Sequence, residues 1–351
     1  MSVYTLWNNK GGVGKSYLTF QLASEYANQN RDKRVIVIDM CPQANSSSML
    51  LGGIRDGERN LEEIFNAPRR RTISGYIDER ITSPYVNTNA GANYLTPVNR
   101  YNPEIPDNVY LVVGDDRLEL QTSQVQAATT AGPQDSWRLV HLWIRDLIVD
   151  AQQHFPGVET TFFIDCNPSF SIYTTISLAA SDRLILPFSA DGSSKRAVRS
   201  VLSLVYGETP AGQPQSEYYR ESMNNRMTIP KIYMYVGNRL TQMNNSSASA
   251  FNHVVTEITD EIWRMWGNDP ANFQTHPNGA QAPTSKKSFK KMFLYEVKDA
   301  NTASVFSGAT GTPVFRMSQG VKDMNGKNVT INQSQLDKQQ PNIRDLVAAI
   351  E

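Results

Sequence analysis

Seven residues near the start of the chain combine glycines, lysines and a hydroxyl group in a pattern suited to binding phosphate. Residues 10–16 read Lys-Gly-Gly-Val-Gly-Lys-Ser and lie between an apolar run, 3–7, and a helix-like run, 17–29. Glycines let the backbone curl so that successive N–H groups point at phosphate oxygens, and the dipole of a following helix attracts the same anion. In such a loop Lys15 contacts the terminal phosphates and the Ser16 hydroxyl is a ligand for Mg²⁺. These residues predict a site for a nucleoside triphosphate with magnesium.

The loop departs at one place from the usual sequence Gly-x-x-x-x-Gly-Lys-[Ser/Thr]. Asn9 stands where that sequence begins with glycine, and a second lysine, Lys10, precedes the double glycine. The resulting sequence resembles the deviant Walker A motif of the ParA/MinD (Soj-like) family of partition and positioning ATPases. The resemblance implies that the cofactor is ATP with Mg²⁺ and that Lys10 reaches across a homodimer to the phosphates of the partner's ATP. A glycine-rich turn with two solvated lysines is the alternative.

Asp39 ends a run of β-branched residues, 35–38, that is typical of a strand buried on both faces of a parallel sheet. Ligands of such sheets bind beyond the carboxyl ends of the strands, so we expect Asp39 and the phosphate loop to meet. The stretch 39–45 resembles the family pattern Asp-x-Asp-Pro-Gln-x-Asn, which implies that Asp39 serves catalysis and metal binding and that Asn45 binds the nucleotide. A carboxylate that only caps the strand end is the alternative for Asp39.

A further aspartate, Asp165, ends the apolar run 161–164. This arrangement resembles the Walker B pattern, which implies that the Asp165 carboxylate lies near Mg²⁺, usually through water, and acts in catalysis beside Lys10 and Lys15. An apolar strand that ends in aspartate is common in α/β proteins, so this motif depends on its neighbours for support.

Two residues after a later apolar run, 231–236, are expected to complete the nucleotide site. The resemblance implies that Asn238 recognises adenine, with Arg239 beside it, and a plain turn residue is the alternative for Asn238. The full predicted nucleotide site is Lys10, Gly11, Gly12, Val13, Gly14, Lys15, Ser16, Tyr17, Asn45, Asn238 and Arg239, and the predicted metal ligands are Ser16, Asp39 and Asp165.

Cys41 occupies the place of the family's second aspartate, which positions the attacking water. A neutral thiol is a poor acceptor for orienting water, and nearby phosphates disfavour the thiolate. We therefore expect slow intrinsic hydrolysis and a long-lived ATP dimer, with Asp39 or Asp165 providing the remaining water positioning. A small buried residue without kinetic effect is the alternative.

The composition limits the classes of protein that the chain can represent. The 351 residues contain 34 basic and 34 acidic side chains, so attraction to nucleic acid or an anionic membrane has to be local. Two cysteines cannot form a disulfide framework, which makes the cytosol, with the nucleoid in it, the expected compartment. We expect no signal peptide, since the first strand begins at once, and no apolar run approaches transmembrane length.

The pattern of apolar runs predicts an α/β fold, a mostly parallel twisted sheet with helices on both faces, and the resemblance of the phosphate loop implies the deviant Walker A P-loop type. We expect a single ATPase domain over 1–351, with an enlarged insertion at about 52–135 and extra C-terminal elements at about 315–351. Within it, polar composition predicts partly loop structure for 121–134 and an exposed excursion at 208–227, whereas 137–151 is expected to form one long helix. Asn-Gly at 325–326 predicts a hairpin turn.

One basic cluster is a candidate DNA-binding surface. If 286–291 is helical, its four lysines lie on one side, where phosphate contacts would give sequence-independent, salt-sensitive binding. Arg69, Arg70 and Arg71 are candidates to extend this patch, and a merely solvated basic face is equally compatible with the sequence. The four lysines are Lys286, Lys287, Lys290 and Lys291.

The leading interpretation is a partition-type ATPase that dimerises with ATP, binds DNA non-specifically and is stimulated by an adaptor protein. A MinD-like positioning ATPase is one alternative, although the segment 342–351 lacks the aromatic, basic character of a membrane-binding tail, so we expect no membrane partner. A nucleotide-gated scaffold or sensor, for example in a defence system, is a second, favoured by Cys41 and the insertion. A metal-cluster carrier is a third, but the chain has no Cys-x-x-Cys.

Overall fold

A computed structural model describes residues 1–189, 191–240 and 245–351, with only the backbone of 239–240 and 245–251. Its centre is an eight-stranded sheet in which every neighbouring pair is parallel except the first, which is antiparallel. In sheet order the strands are β3 (Thr96–Pro97), β4 (Val109–Val112), β2 (Arg34–Met40), β5 (Thr160–Cys166), β1 (Ser2–Leu6), β6 (Arg183–Phe188), β7 (Lys231–Leu240) and β8 (Leu294–Lys298).

Helices cover both faces of this sheet, as expected for buried parallel strands. Alternate residues of β2 enter two different cores, with Ile36 and Ile38 on one face and Val35 and Val37 on the other. The predicted fold class is therefore confirmed. The helices are α1 (Lys15–Gln29), α2 (Asn45–Leu50), α3 (Gly53–Phe65), α4 (Ile73–Thr82), α5 (Leu118–Ala128), α6 (Ser136–His141), α7 (Trp143–Gln153), α8 (Ile172–Ala179), α9 (Ser194–Tyr206), α10 (Glu217–Asn224), α11 (Asn245–Asn268), α12 (Lys286–Phe293), α13 (Thr302–Thr310) and α14 (Gln333–Ala348).

The C-terminal elements add a small core of their own. The hairpin of β9 (Gly320–Met324) and β10 (Lys327–Ile331) turns at Asn325 and Gly326, both in left-handed backbone conformations, as the Asn-Gly pair predicts. This hairpin packs beside α13, while α14 returns to pack against α1 and β8. Of the described helices, none is both long and apolar enough to cross a bilayer.

One sequence-based prediction of local structure is wrong, and two others miss a helix in part of the stretch that they describe. The stretch 121–134 is partly loop as predicted, since α5 ends at Ala128, but Gln121 and Val125 of α5 face inward and Gln121 bonds Ser74 of α4. The stretch 208–227 contains α10, capped by Ser216 and anchored by the buried Tyr218. The predicted long helix at 137–151 is two helices, α6 and α7, which meet at residue 142. The local polarity pattern predicts neither the break at residue 142 nor α10.

Candidate nucleotide-binding site

The phosphate loop lies between β1 and α1, and two glycines give it its curl. Gly12 and Gly14 have φ angles of 74° and 81°, in the left-handed region that favours glycine, and Gly14 caps α1. Asn8 anchors the loop, since its amide donates to the Pro187 carbonyl of β6 (2.8 Å) and its side-chain oxygen accepts from the Lys10 N–H (3.0 Å). Asn8 was not among the predicted site residues, because nothing in the motif marks it.

Lys15 lies inside the curl. Its ammonium donates to the backbone carbonyls of Asn8 (3.1 Å) and Lys10 (3.0 Å), and the side chain is buried. Burial lowers the pKa of Lys15, and the nearby carboxylate of Asp165 opposes this effect. The lysine is thus held against the loop by two backbone carbonyls and lines the pocket where the motif predicts phosphate.

Asp39 ends β2 beside this loop, but hydrogen bonds occupy its carboxylate. Oδ1 accepts from the Cys41 N–H (3.0 Å), and Oδ2 accepts from the Ser47 N–H (3.0 Å) and hydroxyl (2.7 Å). Gly114, directly after β4, donates its N–H to the Ser47 hydroxyl (2.9 Å), and a Cβ at this glycine would lie 2.8 Å from the Asp39 carboxyl carbon. Ser47 and Gly114 therefore hold Asp39, and sequence reasoning found neither.

Asp165 is different, because it is fully buried and neither carboxylate oxygen has a hydrogen-bond partner in the described part of the chain. Burial, and then the charge of Asp39, raise the pKa of Asp165 to about 7, while the nearby hydroxyls of Ser16 and Ser46 act to lower it. An unsatisfied buried carboxylate needs a partner. Its position beside Ser16 suits a magnesium ion held directly or through water, so the geometry favours Ser16 and Asp165 over Asp39 as ligands.

Cys41 lines the same pocket as Lys15, with its side chain buried. Burial, followed by the charges of Asp39 and Asp165, raises the pKa of the Cys41 thiol to about 12. The thiol is therefore neutral at physiological pH, and its environment supports the argument that it is a poor acceptor for water.

Lys10 does not point into this pocket but is bound within its own chain. Its ammonium pairs with the Asp191 carboxylate and donates to the hydroxyls of Ser189 (3.0 Å) and Ser194 (3.2 Å). Partial burial would raise the pKa of Asp191, but hydrogen bonds from Lys10, Ser193 and Ser189 outweigh it and hold the pKa well below the usual range. Sequence reasoning missed Asp191, which lies 181 residues from Lys10.

The remaining predicted contacts are partly structural. The Asn238 amide donates to the Val13 carbonyl (2.9 Å), so it braces the phosphate loop, and the adenine role stays a prediction. The Tyr17 hydroxyl donates to Gln339 of α14 (2.8 Å) although its side chain also lines the pocket. Asn45 lies at the pocket mouth as predicted, and the side chain of Arg239 is outside the described residues.

The pocket as a whole measures about 630 Å³, within the range of small-ligand sites. Its inner wall is the phosphate loop with Cys41 and Cys166, and its mouth is formed by α2, α3 and α13. Two large apolar side chains at this mouth face solvent, Ile54 of α3 (65% exposed) and Val305 of α13 (60% exposed). Exposed apolar residues beside a ligand pocket are typical of a surface that another molecule covers.

The predicted DNA-binding cluster does form a helix, α12, whose N-terminus Ser285 and Ser288 cap. Lys286 forms an ion pair with Asp260 of α11. The other three lysines, Lys287, Lys290 and Lys291, are exposed and make no ion pair with the described residues. The cluster thus presents three free cations instead of four.

The arginine run Arg69–71 cannot extend this cluster, contrary to the sequence-based hypothesis. The run precedes Thr72, which bridges to Val113 directly after β4, near one edge of the sheet. Helix α12 leads directly into β8, the opposite edge. The width of the eight-stranded sheet separates the two basic groups.

Comparison with known proteins agrees with this fold and site. A family model described as an AAA domain matches residues 1–127, which include the phosphate loop and Asp39. An ATP complex of a McdA variant from Cyanothece has a TM-score of 0.56 and 13% identity, covering 100% of this chain and 98% of that one. The structural match shows a shared fold, and both findings support the predicted resemblance to P-loop ATPases of the ParA/MinD type.

Weaker structural likenesses have TM-scores below 0.5. A plasmid partition protein from Borrelia burgdorferi has a TM-score of 0.45 and 16% identity, covering 71% of this chain and 84% of that one. Cobyrinic acid a,c-diamide synthase from Mycobacterium smegmatis, with an ATP analogue and magnesium, has a TM-score of 0.47 and 15% identity, covering 73% and 82%. No curated protein matches the sequence.

Proposed function

We propose that the chain is a partition-type ATPase that binds Mg²⁺·ATP, dimerises around it and hydrolyses it slowly. The observation that carries this proposal is one loop with two lysines in different environments, Lys15 inside the nucleotide pocket and Lys10 bound outside it. The unsatisfied Asp165 carboxylate beside Ser16 supports the magnesium part of the proposal.

In the proposed mechanism the phosphate loop binds the triphosphate through its backbone N–H groups. The Lys15 ammonium exchanges the carbonyls of Asn8 and Lys10 for phosphate oxygens, which are stronger, charged acceptors. Ser16 and Asp165 would hold Mg²⁺, which supplies charge neutralisation at the phosphates when it is bound. Phosphoryl transfer depends mainly on such positioning and on electrostatic stabilisation.

Dimerisation requires Lys10 to leave Asp191. The ion pair is partly exposed, so it contributes little to stability, and a partner's triphosphate offers Lys10 more negative charge than one carboxylate. The exposed Ile54 and Val305 at the pocket mouth are where a second protomer would bury apolar surface. A lysine supplied in this way resembles an arginine finger, because it completes the site only in the assembled dimer.

Slow ATP hydrolysis follows from the neutral Cys41 thiol. Slow hydrolysis also favours the second candidate function, a nucleotide-gated scaffold or sensor. If hydrolysis is very slow, ATP acts mainly as the ligand that holds a dimer together, as in a nucleotide-gated scaffold or sensor. Both functions share the binding site and differ in rate. Single-turnover phosphate release separates them, with Lys15→Ala as the inactive reference and Lys327→Ala, an exposed hairpin residue, as the matched control.

DNA binding belongs to the partition function and is tested on α12. Lys290→Glu with Lys291→Glu should abolish retention of non-specific duplex DNA in the presence of ATP and reduce the salt dependence of binding. Lys327→Glu with Lys338→Glu makes the same charge change at exposed positions elsewhere and should retain DNA. Retention that survives the α12 substitutions would refute the assignment of this surface, and absence of ATP binding by the native chain would refute the ATPase proposal itself.

A further inference from the structure

The arginine run Arg69–71 has no part in the nucleotide site, yet the structure fixes it firmly. Arg70 turns inward and forms two hydrogen bonds with the buried Asp115, both of 2.6 Å, and its guanidinium lies 4.6 Å from the centroid of the Phe65 ring. The Thr72 hydroxyl donates to the same carboxylate. Although burial would raise the pKa of Asp115, the hydrogen bonds from Arg70 and Thr72 lower it, so the carboxylate stays charged. A rigid anchor thus holds the middle of the run.

Anchoring Arg70 places its two neighbours on a second pocket. Arg69 and Arg71 line a cavity of about 580 Å³ together with Arg100, which ends the short 3-10 turn after β3. The pocket is here called the arginine pocket. Its apolar lining comprises Ile64, Ala67, Pro68, Leu95, Pro97 and Tyr101.

Charge in the arginine pocket is not balanced. Three guanidinium groups face one lining carboxylate, that of Glu63. Arg69 has an exposed partner, Glu79, at 3.6 Å, whereas Arg71 and Arg100 form no ion pair with any residue that the structure describes. Like charges held around one cavity repel each other, and a bound anion removes that repulsion. Arginine is also the side chain best suited to binding a carboxylate through two parallel hydrogen bonds.

The surroundings favour a compact ligand over an extended polyanion. Exposed Glu63 on α3 lines the pocket, and Glu79 on α4 pairs with Arg69. A nucleic acid strand extends beyond a cavity of this size and would meet these carboxylates. The apolar lining also needs a ligand with an apolar group, and β3 is an edge strand of the sheet, a place where extended peptides align.

We propose that the arginine pocket is a docking site for a short acidic segment of a partner protein, one that carries a bulky apolar side chain between carboxylates. The apolar side chain enters the lining formed around Leu95 and Tyr101, and the carboxylates pair with Arg71 and Arg100. This proposal is independent of the nucleotide function, because the pocket contains no residue of the phosphate loop.

The test uses the full-length chain and a fluorescein-labelled peptide with two glutamates on each side of one phenylalanine, followed by fluorescence anisotropy. Saturable, salt-sensitive binding is expected, weakened at least about tenfold by Arg71→Glu with Arg100→Glu. The control Lys327→Glu with Lys338→Glu changes the same charge at distant exposed positions and should bind as the native chain does. All four residues are exposed, so thermal unfolding should stay unchanged.

Peptide variants separate charge from apolar contact. Replacing the four glutamates by glutamine should abolish binding, and replacing phenylalanine by alanine should weaken it. The proposal is overturned if the peptide does not bind, if the glutamine peptide binds equally well, or if the arginine variant keeps native affinity. It is also overturned if a single-stranded oligonucleotide binds Arg71 and Arg100 more tightly than the peptide does, since the site then serves nucleic acid.

Discussion

The nucleotide pocket and the arginine pocket each contain groups that lack a hydrogen-bond or ion-pair partner among the described residues. The group in the first pocket is a buried carboxylate, and those in the second are exposed guanidinium groups. In the nucleotide pocket the unsatisfied group is the fully buried Asp165 carboxylate. In the arginine pocket the unsatisfied groups are the exposed Arg71 and Arg100. A buried unpaired carboxylate is costly and is tolerated where a cation or proton completes it, whereas exposed guanidinium groups cost little until a ligand arrives. This difference fits the two proposals, a tightly held ion in the first pocket and a reversible partner in the second.

The two pockets share one supporting segment. Asp115, which anchors Arg70, directly follows Gly114, whose N–H bonds the serine that holds Asp39. The same short stretch after β4 thus sets the geometry of both sites, although their ligands differ.

The largest expected effect is a loss of ATP binding at the nucleotide pocket that leaves peptide binding at the arginine pocket unchanged. Lys15→Ala removes the buried ammonium from the phosphate loop and should weaken Mg²⁺·ATP binding by about a hundredfold or more, since charge-assisted hydrogen bonds to phosphate are lost. Equilibrium titration with a fluorescent ATP analogue measures this effect. Peptide binding at the arginine pocket should stay unchanged. Comparable losses at both pockets would mean that the substitution unfolds the chain.

Removing the shared anchor tests the stability that it supplies. Asp115→Asn removes the buried charged partner of the largely buried Arg70 guanidinium and leaves it only the exposed Asp116 carboxylate at 3.3 Å, so we expect the free energy of unfolding to fall by about 2–3 kcal/mol. Urea denaturation followed by circular dichroism measures the change. Glu79→Gln, which breaks the exposed pair with Arg69, is the control and should cost less than about 1 kcal/mol. Equal effects would contradict a special role for the buried anchor.

The pH dependence of stability tests the state of Asp165. Its pKa is raised to about 7 in the folded chain, so between about pH 4 and pH 7 the folded state binds more protons than the unfolded state. Stability without nucleotide or metal should therefore fall as pH rises through this window. Asp165→Asn should reduce that decline, with the buried Asp39, whose pKa is also raised, supplying the rest, and should be more stable than the native chain at pH 7.5 by on the order of 2 kcal/mol. Parallel stability curves for the two proteins would contradict the pKa assignment.

The smallest expected effect concerns Cys41. Replacing the neutral thiol by a carboxylate with Cys41→Asp should speed phosphate release about tenfold, because an ionised acceptor orients water better. Cys41→Ser is the matched control, which supplies a small neutral group and should stay slow. A rate that is unchanged or lower in the aspartate variant shows that Cys41 does not occupy the water-positioning place.

The sequence predicts those features that local backbone geometry determines. Lys15, Ser16 and the curl of Gly12 and Gly14 follow from seven consecutive residues, and β2 follows from one unbroken β-branched run. Ion-pair partners that lie far apart in the sequence could not be predicted in this way. Asp191 lies 181 residues from Lys10, and Asp115 lies 45 residues from Arg70.

Local amino-acid composition also failed to predict some helices and contacts. Helix α5 is rich in glutamine, serine and threonine, and between its buried apolar residues Leu118 and Val125 the inward face carries Gln121, which is buried with hydrogen bonds to α4. Ser47 was hidden for a similar reason, since a serine within a helix has no distinctive pattern. Its bond to Asp39 becomes visible only when the strand end and the helix meet in space.

The central claim is that Lys10 leaves Asp191 to complete the site of a second protomer. Light scattering of the native chain and of Lys10→Ala, each with Mg²⁺·ATP, with Mg²⁺·ADP and without nucleotide, tests it most directly. We expect the native chain to double its mass only with ATP, and Lys10→Ala to bind ATP but stay monomeric. A native chain that binds ATP and remains monomeric, or a Lys10→Ala variant that dimerises as well as the native chain, would contradict it.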